Sequence, residues 1–259
     1  MLQPLGNRIR ADLKDAGHRE TWPAEAWHGE QARIQQVYAE RQRTKRYTWF
    51  DPAYVFTIQE REHRVLRSLR ARGLTSLSET KILEIGCGNG AWLNEFIKWG
   101  ARPENITGVD LLAERIDEAR RRCPAGVRLE CGNAARLNFP DSSFDLILQS
   151  TVFTSILDQN IRHEIAKEMI RVAKKGSLIL WYDFHIRNPR NPHVRPVRKS
   201  EIYRLFRGCR VYLRRITLAP PITRFLAPRS LFACYVLSKI PWLCSHYLGV
   251  IEKIDPAQA

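Results

Sequence analysis

Between Lys81 and Phe184 short apolar runs alternate with longer stretches whose apolar residues recur every third or fourth position. The runs at 81–85, 106–110, 127–131, 144–150 and 177–183 have the length and composition of strands. The stretches at 90–99, 112–122 and 158–173 have helical spacing. Wholly apolar strands alternating with amphipathic helices predict a parallel sheet covered on both faces. The expected class is therefore α/β, a doubly wound, mostly parallel sheet. Pro189, Pro192 and Pro196 make 185–198 a loop. A helix at 199–207 and strands at 209–218 and 245–253 follow, separated by an apolar insert at 219–243.

Residues 1–80 read as helical. One helix is expected over 24–44, with Ile34, Val37 and Tyr38 among charges. Pro52 opens a second, with Val55, Ile58, Val65, Leu66 and Leu69 at helical spacing, ending near Gly73. Two units are thus expected: a helical N-terminal extension over 1–80 and a sheet domain over 81–259. In doubly wound sheets ligands bind outside the carboxyl ends of the strands. A leading helical segment can fold over that edge as a lid, and this one carries Trp22, Trp27, Tyr47 and Trp49.

The densest chemical signal is Ile82-Leu83-Glu84-Ile85-Gly86-Cys87-Gly88-Asn89-Gly90. A strand runs into a loop with glycine at every second position, and a helix starts at about Ala91. Glycine lets the backbone turn sharply and approach a ligand that a β-carbon would push away. The helix behind the loop offers free N–H groups. Glu84 can attract an ammonium group where strand becomes loop. Two other readings of the run exist. Gly86-x-Gly88-x-x-Ala91 satisfies the dinucleotide fingerprint, with Asp110 24 residues on, and a tight strand-to-helix turn needs no ligand. A carboxylate two residues before the first glycine would face a pyrophosphate badly, and Gly90 adds a third alternate glycine.

This run resembles the first motif of the Rossmann-like, S-adenosylmethionine-dependent methyltransferases. The resemblance covers Lys81 to Phe184 and implies a seven-stranded sheet whose last strand is antiparallel. It implies S-adenosylmethionine as cofactor, held by Glu84, Gly86, Cys87, Gly88, Asn89 and Gly90. Asp110 and Leu111 close the second strand, where a carboxylate can take both ribose hydroxyls; Asp110 can equally cap the next helix. Asn133 and Ala134 follow the third strand, where the family usually has Asp to read adenine; a turn role is the plainer alternative. Gln149, at the end of the fourth strand, would lie beside the sulfonium and the substrate. Lys174-Lys175-Gly176-Ser177 departs from the family's Pro-Gly-Gly turn. More loosely, the leading segment and tail look like bacterial methyltransferases that accompany polysaccharide, glycolipid or secondary-metabolite genes.

The acceptor is narrowed mostly by what is missing. Methylation of exocyclic base amines goes with an Asn/Asp-Pro-Pro-aromatic segment after strand four, where this chain has Gln149-Ser150-Thr151-Val152. No cysteine sits near the ends of strands four and five to attack a base carbon, and no metal-ligand cluster is expected. Metal-independent O-methylation of a small-molecule, sugar or lipid-linked acceptor is the expected reaction. His185 is the first candidate for a general base, with Asp183 beside it at the end of strand five.

A net charge of +15 suggests an anionic partner, which makes RNA methylation the rival enzyme reading. The arginines are dispersed from Arg8 to Arg229, as on ordinary solvated faces. A cofactor-binding scaffold without turnover is the non-enzymatic rival. The six cysteines are scattered without a Cys-x-x-Cys pair, which fits a reduced cytoplasmic compartment. The first residues have no apolar signal core, and the longest uncharged run, 240–251, is too short to span a bilayer. The insert at 219–243 mixes apolar residues with Arg224, Arg229 and Lys239. Such a segment can lie on the inner face of an anionic membrane, cap a pocket or form a dimer face.

Overall fold

A computed structural model describes residues 29–37, 48–187 and 191–254. Seven strands form one sheet: β1 (Ile82–Ile85), β2 (Ile106–Asp110), β3 (Arg128–Cys131), β4 (Phe144–Ser150), β5 (Ala173–Phe184), β6 (Cys209–Leu218) and β7 (Cys244–Lys253). Their order is β3-β2-β1-β4-β5-β7-β6. The first five are parallel, and β7 runs antiparallel to both β5 and β6. The expected doubly wound, seven-stranded sheet is what forms.

Strand alternation sorts the core into two layers. Leu83, Ile85, Ile147, Ile179 and Trp181 face one side, under α5 (Gln159–Val172) and α6 (Lys199–Leu205). Ile82, Leu146, Leu148, Leu180 and Tyr182 face the other, under α2 (Pro52–Arg70), α3 (Ala91–Lys98) and α4 (Ala113–Arg122). Each layer seals one face of the sheet, which is why the central strands carry no polar alternation.

Local chemistry sets the helix ends. Asp51 accepts from the Ala53 N–H at 2.9 Å, with Pro52 in the first turn of α2. Asp158 does the same for α5, accepting from the Asn160 N–H at 2.7 Å. The strand expected at 177 begins at Ala173, which pairs with Phe144; the register then shifts so that pairing resumes at Leu146 and Leu178, with 174–177 bulged between.

The leading segment divides differently from the expected 1–80 lid. A helix, α1, is described over 29–37; the rest of the predicted 24–44 span, with Trp22, Trp27 and Tyr47, lies outside the described residues. α1 ties to the loop after β4: Leu157 N–H donates to Glu30 at 2.6 Å, and Arg33 donates to the Ser155 carbonyl. α2 is no lid. Val65 and Leu69 are fully or nearly fully buried in the same cluster as Ile82, Leu146 and Phe96. Its apolar stripe has the sheet to cover, and burial of that stripe outweighs a swing over the strand ends. Trp49 is 60 % exposed.

The insert folds into two short helices, α7 (Pro220–Leu226) and α8 (Leu231–Leu237), and a 3₁₀ turn at Pro241–Leu243. Both helices rest on α2.

Candidate functional site

The carboxyl ends of β1, β2 and β4 open into a cavity of about 420 Å³. Its floor is the glycine loop. Gly86 and Cys87 N–H groups both donate to the Val109 carbonyl, at 2.8 and 3.0 Å, folding the loop onto β2. Gly86 has φ +69°, and a β-carbon there would lie 2.4 Å from Val152 Cγ2. Gly88, with φ +54°, differs: a β-carbon would meet nothing within 4 Å, and the residue lines the cavity. One glycine is required by packing and the other keeps a cradle open.

Asp110 organises this floor. One carboxylate oxygen accepts from Gly88 N–H at 2.8 Å and the other from Leu112 N–H at 3.0 Å. It also lines the cavity, and each oxygen retains a second lone pair. Burial raises its pKa, opposed by those backbone hydrogen bonds.

Glu84 is 2 % exposed, lines the same cavity, and its Oε2 has no hydrogen-bond partner. Burial and then the Asp110 charge hold its pKa well above the carboxylate range, while Arg61 pulls it down. An unpartnered buried carboxyl on a cavity wall is costly unless a cationic group or a proton satisfies it. Together with the free N–H groups at the start of α3, it suits a zwitterionic amino-acid end. The residues present therefore fit S-adenosylmethionine.

Of the expected cofactor residues, Glu84, Gly86, Cys87, Gly88, Asn89, Asp110, Leu111 and Ala134 meet on the cavity wall. The others lie elsewhere. Gly90 caps α3 in the left-handed region. Asn133 accepts from the Ala135 N–H at 2.8 Å in a local turn, leaving Gly132 and Ala134 at the wall. Gln149 is fully buried, accepts from Val152 N–H at 3.2 Å, and is absent from the wall. It shares its register row with Ile85 and Trp181, so the pleat turns it toward the α5 layer.

The expected base pair is also displaced. Asp183 is 1 % exposed and accepts from Thr154 Oγ1 at 2.6 Å, Thr154 N–H at 3.2 Å and Phe184 N–H at 2.9 Å. Burial pushes its pKa up to about 6. His185 puts Nε2 3.0 Å from the Cys244 carbonyl and packs on Tyr247. Its pKa is lowered by burial and then by Arg215. Neither residue lines the cavity. Antiparallel β7 fixes the end of β5 here, and Asp183 holds the backbone of the loop that follows β4.

That loop is the part sequence reasoning missed. Ser150, Thr151, Val152, Ser155 and Ile156 line the cavity, with Ile34 from α1 and Ile165 from α5. Thr151 holds φ +58°, uncommon for a β-branched residue, and donates its N–H to the Tyr182 carbonyl at 2.8 Å. Gln149, Asp183 and Tyr182 thus clamp 151–154 in place. Trp92 and Arg115 also line the wall, and Arg61 of α2 stacks 4.1 Å over the Trp92 ring.

Residues 82–176 match the family described as a methyltransferase domain. A 2-methyl-6-phytyl-1,4-hydroquinone methyltransferase of Synechocystis is 29 % identical over 114 residues, 43 % of this chain and 34 % of that protein. A fatty-acid O-methyltransferase of Mycolicibacterium smegmatis is 35 % identical over 104 residues, 40 % of this chain and 36 % of that protein. The chain therefore spans about a third of the length of these two curated relatives. The solved structure of an S-adenosylmethionine-dependent methyltransferase from Mesorhizobium loti superposes with a TM-score of 0.53 at 16 % identity. It covers 72 % of this chain and 96 % of that one.

Proposed function

We propose that this chain, by fold and by residues 82–176 a member of the class I S-adenosylmethionine-dependent methyltransferases, methylates an anionic oxygen of a small-molecule acceptor. The observation that carries the reading is the unpartnered Glu84 carboxyl beside the open Gly88 cradle. When bound, S-adenosylmethionine supplies a methyl group on a positively charged sulfur, ready for in-line displacement.

The chain's own residues do the rest. Glu84 would take the ammonium group, Asp110 the ribose hydroxyls, and the 132–134 turn the adenine edge. Ile34, Val152, Ile156 and Ile165 form an apolar wall that excludes water from the side facing α5. The clamped 150–156 loop presents Ser150, Thr151 and Ser155 to the cavity, hydroxyls able to position an acceptor.

The wall carries no histidine among the described residues. An acceptor hydroxyl would gain about 10²–10⁴-fold from a base. A carboxylate or an acidic phenolate is already ionised at neutral pH and needs none. Such an acceptor matches this wall, and the relative named as a fatty-acid O-methyltransferase acts in the same chemical class by its name.

Calorimetric titration with S-adenosylhomocysteine and NAD tests the cofactor. Micromolar S-adenosylhomocysteine binding, absent in Asp110→Ala, with none for NAD, is expected. NAD binding alone would overturn the reading. Turnover of labelled S-adenosylmethionine on a pool of carboxylic acids, followed by alkaline release of the label, then tests for an ester product.

A further inference from the structure

The insert between β6 and β7 leaves its largest side chains outside. α7 and α8 meet α2 around a small buried cluster, Ala53, Leu218, Ala227 and Cys234, with Thr223 buried beside it. Ile222, Leu226, Leu237 and Leu243 pack against it half-buried, and the aromatic side chains remain in solvent. Phe225 is 62 % exposed, Phe232 76 % and Trp242 84 %, with Leu231, Tyr235 and Val236 also open. A segment folded only for the chain's own core would bury the aromatics as well. Soluble monomers rarely leave this much large apolar surface together.

Charge identifies what covers it. Between Glu201 and Glu252 the chain has no acidic residue, but seven arginines and one lysine. Three of these cations, Arg224, Arg229 and Lys239, belong to the insert itself. The Arg229 guanidinium sits 4.5 Å from the Phe225 ring centre, and Lys239 Nζ 3.8 Å from that of Tyr235. Cations flanking exposed rings suit a boundary where the rings enter acyl chains and the cations meet headgroup phosphates. A second copy would press two acid-free faces together, which like charges oppose. A nucleic acid would satisfy the cations but leave Leu231 and Val236 in water.

We propose that α7, α8 and the 241–243 turn form a docking surface for an anionic lipid bilayer. No helix among the described residues is long and apolar enough to cross a membrane, so the contact is peripheral. The surface goes beyond the methyl-transfer reading and stands or falls separately from it.

Flotation of the full chain with phosphatidylglycerol vesicles and with phosphatidylcholine vesicles tests it. Two triple variants accompany the wild type: Phe225→Ser with Phe232→Ser and Trp242→Ser, and Arg224→Gln with Arg229→Gln and Lys239→Gln. The wild type should float with phosphatidylglycerol and about tenfold or more less with phosphatidylcholine. The serine variant should lose about tenfold or more, and the glutamine variant about fivefold per cation removed. Both variants alter exposed positions and should keep wild-type melting curves. A wild type that stays unbound with phosphatidylglycerol overturns the proposal, as does a serine variant that floats equally well. So does sedimentation showing a dimer that the serine variant breaks, which would give the face to a second copy. Loss of S-adenosylhomocysteine binding by the wild type would refute the cofactor reading and leave flotation untouched.

Discussion

Replacing Gly86 and Gly88 by alanine separates packing from ligand space within one loop. Both have left-handed φ, +69° and +54°, so alanine costs about 1–2 kcal/mol at either. At Gly86 the new methyl would lie 2.4 Å from Val152 Cγ2. Val152 cannot simply retreat, because its N–H is held by Gln149 and the next turn by Asp183. Overpacking of that kind adds about 1–3 kcal/mol, for a total of about 2–5 kcal/mol. At Gly88 nothing lies within 4 Å, so only the conformational cost applies. At about 2–4 °C per kcal/mol for a chain of this size, Gly86→Ala should lower the melting temperature by roughly 10 °C and Gly88→Ala by about 4 °C. The order reverses in binding. The Gly88→Ala methyl enters the cradle and should weaken S-adenosylhomocysteine about tenfold or more, about 1.4 kcal/mol. Thermal melts and calorimetry on the two variants read both quantities. Wild-type affinity in Gly88→Ala, or equal melting of the two variants, would refute the assignment of these glycines.

Three further outcomes follow from buried polar groups. His246 is buried against Tyr182, and burial, Arg61 and His185 lower its pKa from 6.5 to about 3. The unfolded chain takes up a proton that the folded one refuses, so stability is full above 6.5 and falls as pH drops below it. By about pH 5 the loss is about 2 kcal/mol, and His246→Phe should remove that share in urea unfolding at the two pH values; parallel wild-type and variant pH curves would rule this out. Arg162 is fully buried, pairs with Glu201 at 2.7 Å and donates to the Ile156 carbonyl at 2.8 Å. Arg162→Met leaves Glu201 only the longer pair with Arg195 at 3.5 Å and should cost about 3 kcal/mol by denaturant titration. Asp183→Asn places an amide donor where Thr154 already donates twice, and should cost about 1–3 kcal/mol with faster hydrogen exchange over 151–156; unchanged exchange there would remove the clamp from the account.

The sheet was legible because β1, β4 and β5 are apolar on both faces, a pattern with one structural solution. Glu84 and Asp110 could be singled out because carboxylates stand near the ends of two strands beside the glycine loop, and both line the cavity. The roles of Gln149 and Asp183 were not. Their position at strand ends is plain in the sequence, but the pleat and the antiparallel neighbour decide which way each points, and both point at the loop backbone. The leading segment misled for a related reason. Helical periodicity in 52–70 reveals an apolar stripe without saying whether sheet or ligand covers it. The insert reads as core by composition, yet only part of it does so: Ile222, Leu226 and Leu237 reach the cluster on α2 while Phe225, Phe232 and Trp242 stay exposed.

The strand order leaves β3 and β6 at the two rims of the sheet. A rim strand offers unpaired backbone groups to any other strand that arrives. β3 has four residues and little to offer. β6 has ten, and Arg210, Arg214 and Arg215 stand exposed along it. A second β6 arriving edge to edge would set guanidinium against guanidinium before any ladder could close. Part of the chain's surplus positive charge therefore acts as a guard against aggregation, holding finished sheets apart at the one rim long enough to fuse.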